Sequence, residues 1–101
     1  HEVIVPDLVD CEVLSAWRRA VRTGNMTAQR ADRAVHFLSV APLIRTTTEP
    51  LLKLIWQHRN NLSSYDATYI ALAELYEIPL LTADARLAKA PNTTAKIHLL
   101  P

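Results

Sequence analysis

Glycine, cysteine and long apolar runs are scarce in this 101-residue sequence, and each scarcity excludes a class of protein. Gly24 is the only glycine, whereas phosphate-cradling loops and the glycine-flanked serine of hydrolases need several flexible backbone positions. Cys11 is the only cysteine, so no internal disulfide or cysteine-based zinc site can form. No run is long enough to span a membrane, and the start lacks the basic region of a signal peptide. We therefore expect a soluble, cytoplasmic protein with no membrane contact.

Neither sign of charge dominates, because 11 basic side chains face 10 acidic ones. This balance excludes a nucleic-acid binder that works by bulk charge, so any contact with RNA or DNA must be local. Half of the residues are apolar, which predicts one domain over residues 1–101 with a single core. The histidines lack metal-ligand spacing, and we expect each at the surface or its boundary: His1, His36, His58 and His98.

The stretch from Ser63 to Pro79 predicts a buried helix. Ser63 and Asp66 have the spacing of an N-terminal capping box, and the residues that follow are apolar on nearly every side until Pro79. Asp66 has two explanations. It completes the cap at the positive end of the helix dipole, or it binds a hard divalent cation together with other carboxylates and waters.

The remaining sequence alternates short strands with helices and predicts an α/β fold. Strands are expected at residues 3–5, 43–47, 78–82 and 96–100, the last as an edge strand. Helices are expected from Asp7, as the cap, to Thr23, from Thr27 to about Val40, from Glu49 to about Asn60, and briefly after Asp84. Gly24 suits a left-handed helix stop.

Three of these helices carry apolar stripes that should pack inward. In the first helix the stripe comprises Val9, Val13, Leu14, Ala16, Trp17, Ala20 and Val21. In the second it comprises Ala31, Ala34, Val35 and Leu38, and in the third Leu51, Leu52, Leu54, Ile55 and Trp56.

Two further carboxylates stand at unusual places. Glu12 lies at the margin of the first apolar stripe. Two interpretations of it are equally acceptable: a border glutamate whose carboxylate reaches water, or a functional acid. Asp84 follows a strand, at the sheet edge where α/β proteins bind ligands, although a helix cap is a strong alternative. Gathered carboxylates repel one another unless a cation neutralises them, so Glu12, Asp66 and Asp84 together predict a Mg²⁺ or Mn²⁺ site for phosphodiester hydrolysis.

These residues carry a family resemblance over nearly the whole chain. The segments 8–19, 61–74 and 81–87 resemble PIN-domain ribonucleases of the VapC toxin type, the middle segment most specifically. The resemblance implies a PIN-like α/β fold, a short parallel sheet flanked by helices, and cleavage of RNA at a magnesium or manganese site. It makes Glu12, Asp66 and Asp84 three of four catalytic and metal-binding acids. It also implies a homodimer silenced by a cognate antitoxin.

The fourth acid of the family pattern is missing from this sequence. In the family pattern this acid ends a first strand, a helix follows, and the present sequence begins after both. We therefore expect an N-terminally incomplete domain whose metal affinity is weakened by the loss of one ligand. Neither Glu2 nor Asp7 matches the missing acid. Arg86 is a candidate for holding the scissile phosphate, or it is a solvated helix arginine. Ser63 and Thr82 are candidates for supporting the acids, although capping and strand-end roles are favoured.

Two other interpretations remain open. The hairpin of the first two helices, with Arg30 and Arg33 on the second, has the pattern of a helix-turn-helix DNA binder. That interpretation explains neither Asp66 nor Asp84. The third interpretation keeps the PIN-like fold without activity, as an interaction domain or an inactive fragment.

Overall fold

A computed structural model describes residues 2–101, so the prediction for His1 lies outside the described residues. The chain divides into two compact units, residues 1–46 and 47–101. In the first unit the elements are β1 (Val3–Pro6), α1 (Leu8–Arg22), α2 (Ala28–Val40) and β2 (Leu43–Thr46). Strands β1 and β2 pair in parallel, with Val3 opposite Leu43 and Pro6 opposite Thr46.

The ends of α1 and α2 follow the predicted signals with one exception. Gly24 has a φ of +80°, which confirms the left-handed stop, and the Thr27 hydroxyl accepts a hydrogen bond from the Arg30 amide at 3.1 Å. The predicted cap by Asp7 is wrong. Asp7 itself has helical backbone angles and its side chain makes no cap bond, while its amide donates to the Thr46 carbonyl at 2.9 Å. Its backbone therefore extends the parallel pairing beyond β1.

The apolar stripes of the first unit are less covered than predicted. No residue of α1 is buried, and Leu14 and Ala16 are exposed. In α2 only Ala31 is buried, and Val35 is 41% exposed. A unit of about 46 residues has too little interior to bury two full helical stripes, so most of these side chains are half-buried.

The second unit contains a short 3₁₀ helix (Glu49–Leu51) that continues into α3 (Leu52–Gln57), then α4 (Ser64–Tyr76), β3 (Leu80–Thr82), α5 (Ala85–Ala88) and β4 (Ile97–Leu99). Strands β3 and β4 pair in parallel, with Leu80 opposite Ile97 and Thr82 opposite Leu99. The predicted strands and helices are thus present, and the α/β class with short parallel sheets is confirmed. Among the described helices, none has the length and apolarity needed to cross a bilayer.

The core of the second unit forms around α4, as predicted. Six of its residues are buried: Ala67, Thr68, Ile70, Ala71, Leu72 and Ala73. The inward packing predicted for α3 is correct only in part, because Leu51 is fully buried whereas Leu52 and Trp56 are 57% and 66% exposed. Five apolar side chains within six residues point around most of a helix, so one core cannot cover them all. Trp56 instead stacks with the Arg59 guanidinium, 4.9 Å from its ring centroid.

Candidate metal site

Asp66 is positioned by the start of α4. The Ser63 backbone is extended, and its hydroxyl accepts a hydrogen bond from the Asp66 amide at 3.1 Å. This bond confirms the predicted cap and fixes the first helical turn, which leaves the Asp66 side chain half-buried at the edge of the core. Ser63 therefore supports Asp66 through the backbone.

Asp84 is held by the turn between β3 and α5. Its amide donates to the Thr82 hydroxyl at 3.0 Å, and its carboxylate accepts the Arg86 amide at 2.9 Å. The Arg86 guanidinium lies 3.4 Å from the other carboxylate oxygen. The Arg86 backbone N–H, followed by its side chain, holds the pKa of Asp84 below its ordinary value, so this carboxyl remains ionised. The helix cap considered for Asp84 is therefore present.

Asp66 and Asp84 line the same cavity, whose volume is about 390 Å³. Its wall comprises Asn61, Leu62, Ser63, Asp66, Asp84, Arg86, Leu87, Ala90 and Pro91. The structure thus brings together four of the residues predicted for the site, Ser63, Asp66, Asp84 and Arg86. Thr82 contributes through its bond to the Asp84 amide.

The donor set of this cavity suits a hard cation. Two carboxylates, a hydroxyl and an amide carbonyl are oxygen donors, and Mg²⁺ is commonly held by one or two carboxylates with waters completing its shell. Within residues 2–101, no three His, Cys, Asp or Glu side chains gather as a metal-binding group. The cavity therefore offers a pair of acids.

Glu12 lies on α1, in the other unit, with an exposed side chain. Its role as a third ligand stays a prediction.

Sequence reasoning missed a buried hydrogen bond between His58 and Glu74. His58 was expected at the surface or its boundary and is instead 4% exposed, with Nε2 3.0 Å from Oε1 of Glu74. The exposed His36 and His98 agree with the expectation. A signal for the pair existed, since Glu74 is a carboxylate in a helix predicted to be buried and needs a donor as much as Asp66 does.

Comparisons with known proteins found one matching family model and several similar proteins. A sequence model described as PIN domain matches residues 1–92. Ribonuclease VapC1 of Mycobacterium tuberculosis is 41% identical over 96 residues, covering 94% of this chain and 72% of that protein. Ribonuclease VapC9 of the same species is 37% identical over 97 residues, covering 96% and 76%. Ribonuclease VapC12 is 35% identical over 99 residues, covering 97% and 76%.

Proposed function

Because this chain belongs to the PIN domain family, we propose that it is an endoribonuclease that hydrolyses RNA at a Mg²⁺ or Mn²⁺ site containing Asp66 and Asp84. The observation that carries the proposal is the single cavity that both carboxylates line. The ribonuclease names of its relatives support RNA as the substrate.

The residues of the cavity have distinct roles in this proposal. Asp66 and Asp84 hold the cation, which when bound polarises phosphate oxygens and lowers the pKa of water. Arg86 offers a guanidinium at the rim, with a side chain that is 90% exposed and free to turn from Asp84 towards a phosphate. Ser63 and Thr82 keep the two acids in place through the backbone bonds described above.

The resemblance to VapC toxins adds a partner, an oligomeric state and a cellular location to the proposal. We include a cognate antitoxin that silences the nuclease, a homodimer and a cytoplasmic location. Light scattering of the purified protein measures the oligomeric state, and a monomer at micromolar concentration would remove the dimer from the proposal.

The deciding experiment is RNA cleavage by the purified protein in Mg²⁺ or Mn²⁺. We expect a chelator to abolish cleavage and Asp66→Asn to reduce kcat/KM by about 100-fold or more, because the amide loses the charge that holds the cation. Glu49→Gln is the matched control, since Glu49 is an exposed acid of the same unit outside the cavity wall. Arg86→Ala should mainly raise KM. Cleavage that survives both the chelator and Asp66→Asn would reject the carboxylate–metal mechanism.

The two other interpretations gain less from the structure. Arg30 and Arg33 are exposed on α2, but no observation connects them to duplex DNA, so the helix-turn-helix interpretation gains no support. An interaction domain without activity predicts no metal-dependent cleavage by the unsubstituted protein.

A further inference from the structure

Two irregular segments form part of the cavity wall. Asn61 and Leu62 belong to the turn before α4, and Ala90 and Pro91 belong to the segment 89–96 between α5 and β4. Neither segment has the repeated backbone bonds of a helix or a strand. Individual hydrogen bonds hold them instead: the Asn61 and Leu62 amides donate to the His58 carbonyl, and the Ala90 amide donates to the Leu87 carbonyl.

His58 fixes the first of these segments through its backbone. Its carbonyl accepts hydrogen bonds from the amides of Asn61 and Leu62, both at 3.0 Å. His58 is the residue directly after α3, and it is 4% exposed. The turn that lines the cavity is thus anchored to a buried residue.

The His58 side chain leads to the second segment through Glu74 of α4. Nε2 of His58 lies 3.0 Å from Oε1 of Glu74. Oε2 of Glu74 accepts the Thr93 hydroxyl at 2.8 Å and the Thr94 amide at 3.4 Å. The Thr93 hydroxyl oxygen in turn accepts the Ala95 amide at 3.1 Å. One carboxylate therefore joins α3, α4 and the segment 89–96.

The chemistry of a carboxylate determines the direction of these bonds. A carboxylate oxygen accepts hydrogen bonds, so the His58 tautomer with its proton on Nε2 donates to Oε1. The two side chains are 5% and 11% exposed, and a carboxylate at that depth needs several donors to offset its lost hydration. Histidine, threonine hydroxyl and backbone amide supply them.

We propose that His58, Glu74 and Thr93 form a clamp that positions the two irregular walls of the cavity. The three are positioning residues, and they act on substrate only through Asn61, Leu62, Ala90 and Pro91. Loosening the clamp should weaken substrate binding while Asp66 and Asp84 retain their own supports. The effect on RNA cleavage rests on the function proposed above, whereas the clamp itself does not.

Three substitutions at adjacent positions test the clamp. Thr93→Val removes the hydroxyl at nearly constant shape, Thr93→Ser retains it, and Thr94→Val changes a neighbouring side chain whose backbone amide remains in place. In Thr93→Val we expect hydrogen exchange at the Ala90 and Thr94 amides to accelerate about 5-fold, because the hydroxyl loses both its bond to the Glu74 carboxylate and the bond it accepts from the Ala95 amide. Thr93→Ser and Thr94→Val should exchange at the unsubstituted rate.

RNA cleavage kinetics supply a measurement that a purely structural role would not change. We expect Thr93→Val to raise KM about 5-fold with kcat within about 2-fold, and Thr93→Ser to restore KM. Glu74→Gln, which removes the charge of the clamp, should raise KM at least as much and provides a second variant if Thr93→Val folds poorly.

The two measurements separate the clamp from the proposed function. Equal exchange rates in Thr93→Val and Thr94→Val would overturn the clamp. Accelerated exchange with an unchanged KM would overturn its positioning role. If the unsubstituted protein does not cleave RNA, the proposed function fails alone, because the exchange measurement still confirms or overturns the clamp.

Discussion

Asp84 combines a structural contact with a proposed chemical one in a single carboxylate. Its oxygens cap α5 and accept Arg86, and they also face the cavity. Asparagine caps helices as well as aspartate does, but it carries no charge. Asp84→Asn and Asp84→Ala should therefore separate the two contributions.

We expect both substitutions to reduce kcat/KM for RNA by about 100-fold or more, since both remove the negative charge of Asp84 from the cavity. Only Asp84→Ala should also lower the melting temperature, because only it loses the cap of α5. Steady-state kinetics and thermal unfolding measure the two effects. An Asp84→Asn variant with unsubstituted activity would show that Asp84 is a cap alone.

Residue-level burial was the hardest feature to predict from sequence. The predicted site acids Asp66 and Asp84 do meet in one cavity, because strand-end and helix-start positions are visible in the sequence. The pairing of His58 with Glu74 joins residues 16 positions apart. That pairing depends on how α3 packs on α4, which no local pattern specifies. The exposure of Trp56 likewise depends on how α3 packs, and no local pattern specifies it.

At the scale of elements, capping signals predicted where helices begin, including α1, which starts just after Asp7 although the Asp7 side chain makes no cap bond. The side chains of Thr27 and Ser63 do make cap bonds, and α2 and α4 begin just after them. Asp7 has the right residue type, but its amide is engaged by Thr46, and its backbone is already helical. The pairing of β1 with β2 therefore determines the conformation at Asp7 in place of the cap.

A second element-level contact joins α1 to β2. The Arg45 guanidinium binds the Asp10 carboxylate through two bonds, at 2.6 and 2.9 Å, and donates to the Leu38 carbonyl at 3.3 Å. The hydrogen bond from Arg45 holds the pKa of Asp10 below its ordinary value and raises the pKa of Arg45. The ion pair thus favours the folded state while Asp10 is charged.

We expect Asp10→Asn to lower the melting temperature at neutral pH. A depressed folded-state pKa gives stability that is fully present above the ordinary aspartate pKa of about 4 and is lost as pH falls through the lower folded value. The difference between the unsubstituted protein and Asp10→Asn should therefore shrink towards zero in acid. Thermal unfolding from pH 7 to pH 2 measures it.

The matched control is Asp32→Asn, at an exposed acid on α2 of the same unit. It should shift the melting temperature little at any pH. A difference between the unsubstituted protein and Asp10→Asn that stayed constant from pH 7 to pH 2 would mean that the carboxylate charge does not stabilise this unit.

At the scale of the whole molecule, sequence patterns predicted the order of strands and helices because each has its own periodicity and stop signals. The prediction of a single domain stays untested, since contacts group the chain into two compact units while one family match spans residues 1–92. The degree of burial in α1 was not predictable, because a stripe of apolar residues shows which side can be covered but not what covers it.

Glu12 is the third acid that the resemblance to VapC ribonucleases assigns to the metal site. It lies in the first unit, whereas Asp66 and Asp84 lie in the second, and its assignment as a ligand comes from the resemblance to VapC ribonucleases. If Glu12 binds the same cation, removal of its charge must weaken the same step as removal of Asp66. We therefore expect Glu12→Gln to reduce kcat/KM to a similar extent as Asp66→Asn.

A double variant tests whether Glu12 and Asp66 act through the same cation. Residues that act through one cation are strongly non-additive, so Glu12→Gln combined with Asp66→Asn should cost little more than either alone. Asp32→Asn again serves as the control, since it removes an exposed helical acid from the same unit as Glu12. Mn²⁺ titration of the same variants should show weaker binding in parallel with the lost cleavage. Unsubstituted activity in Glu12→Gln would identify Glu12 as a border glutamate and leave Asp66 and Asp84 as the acids of the site.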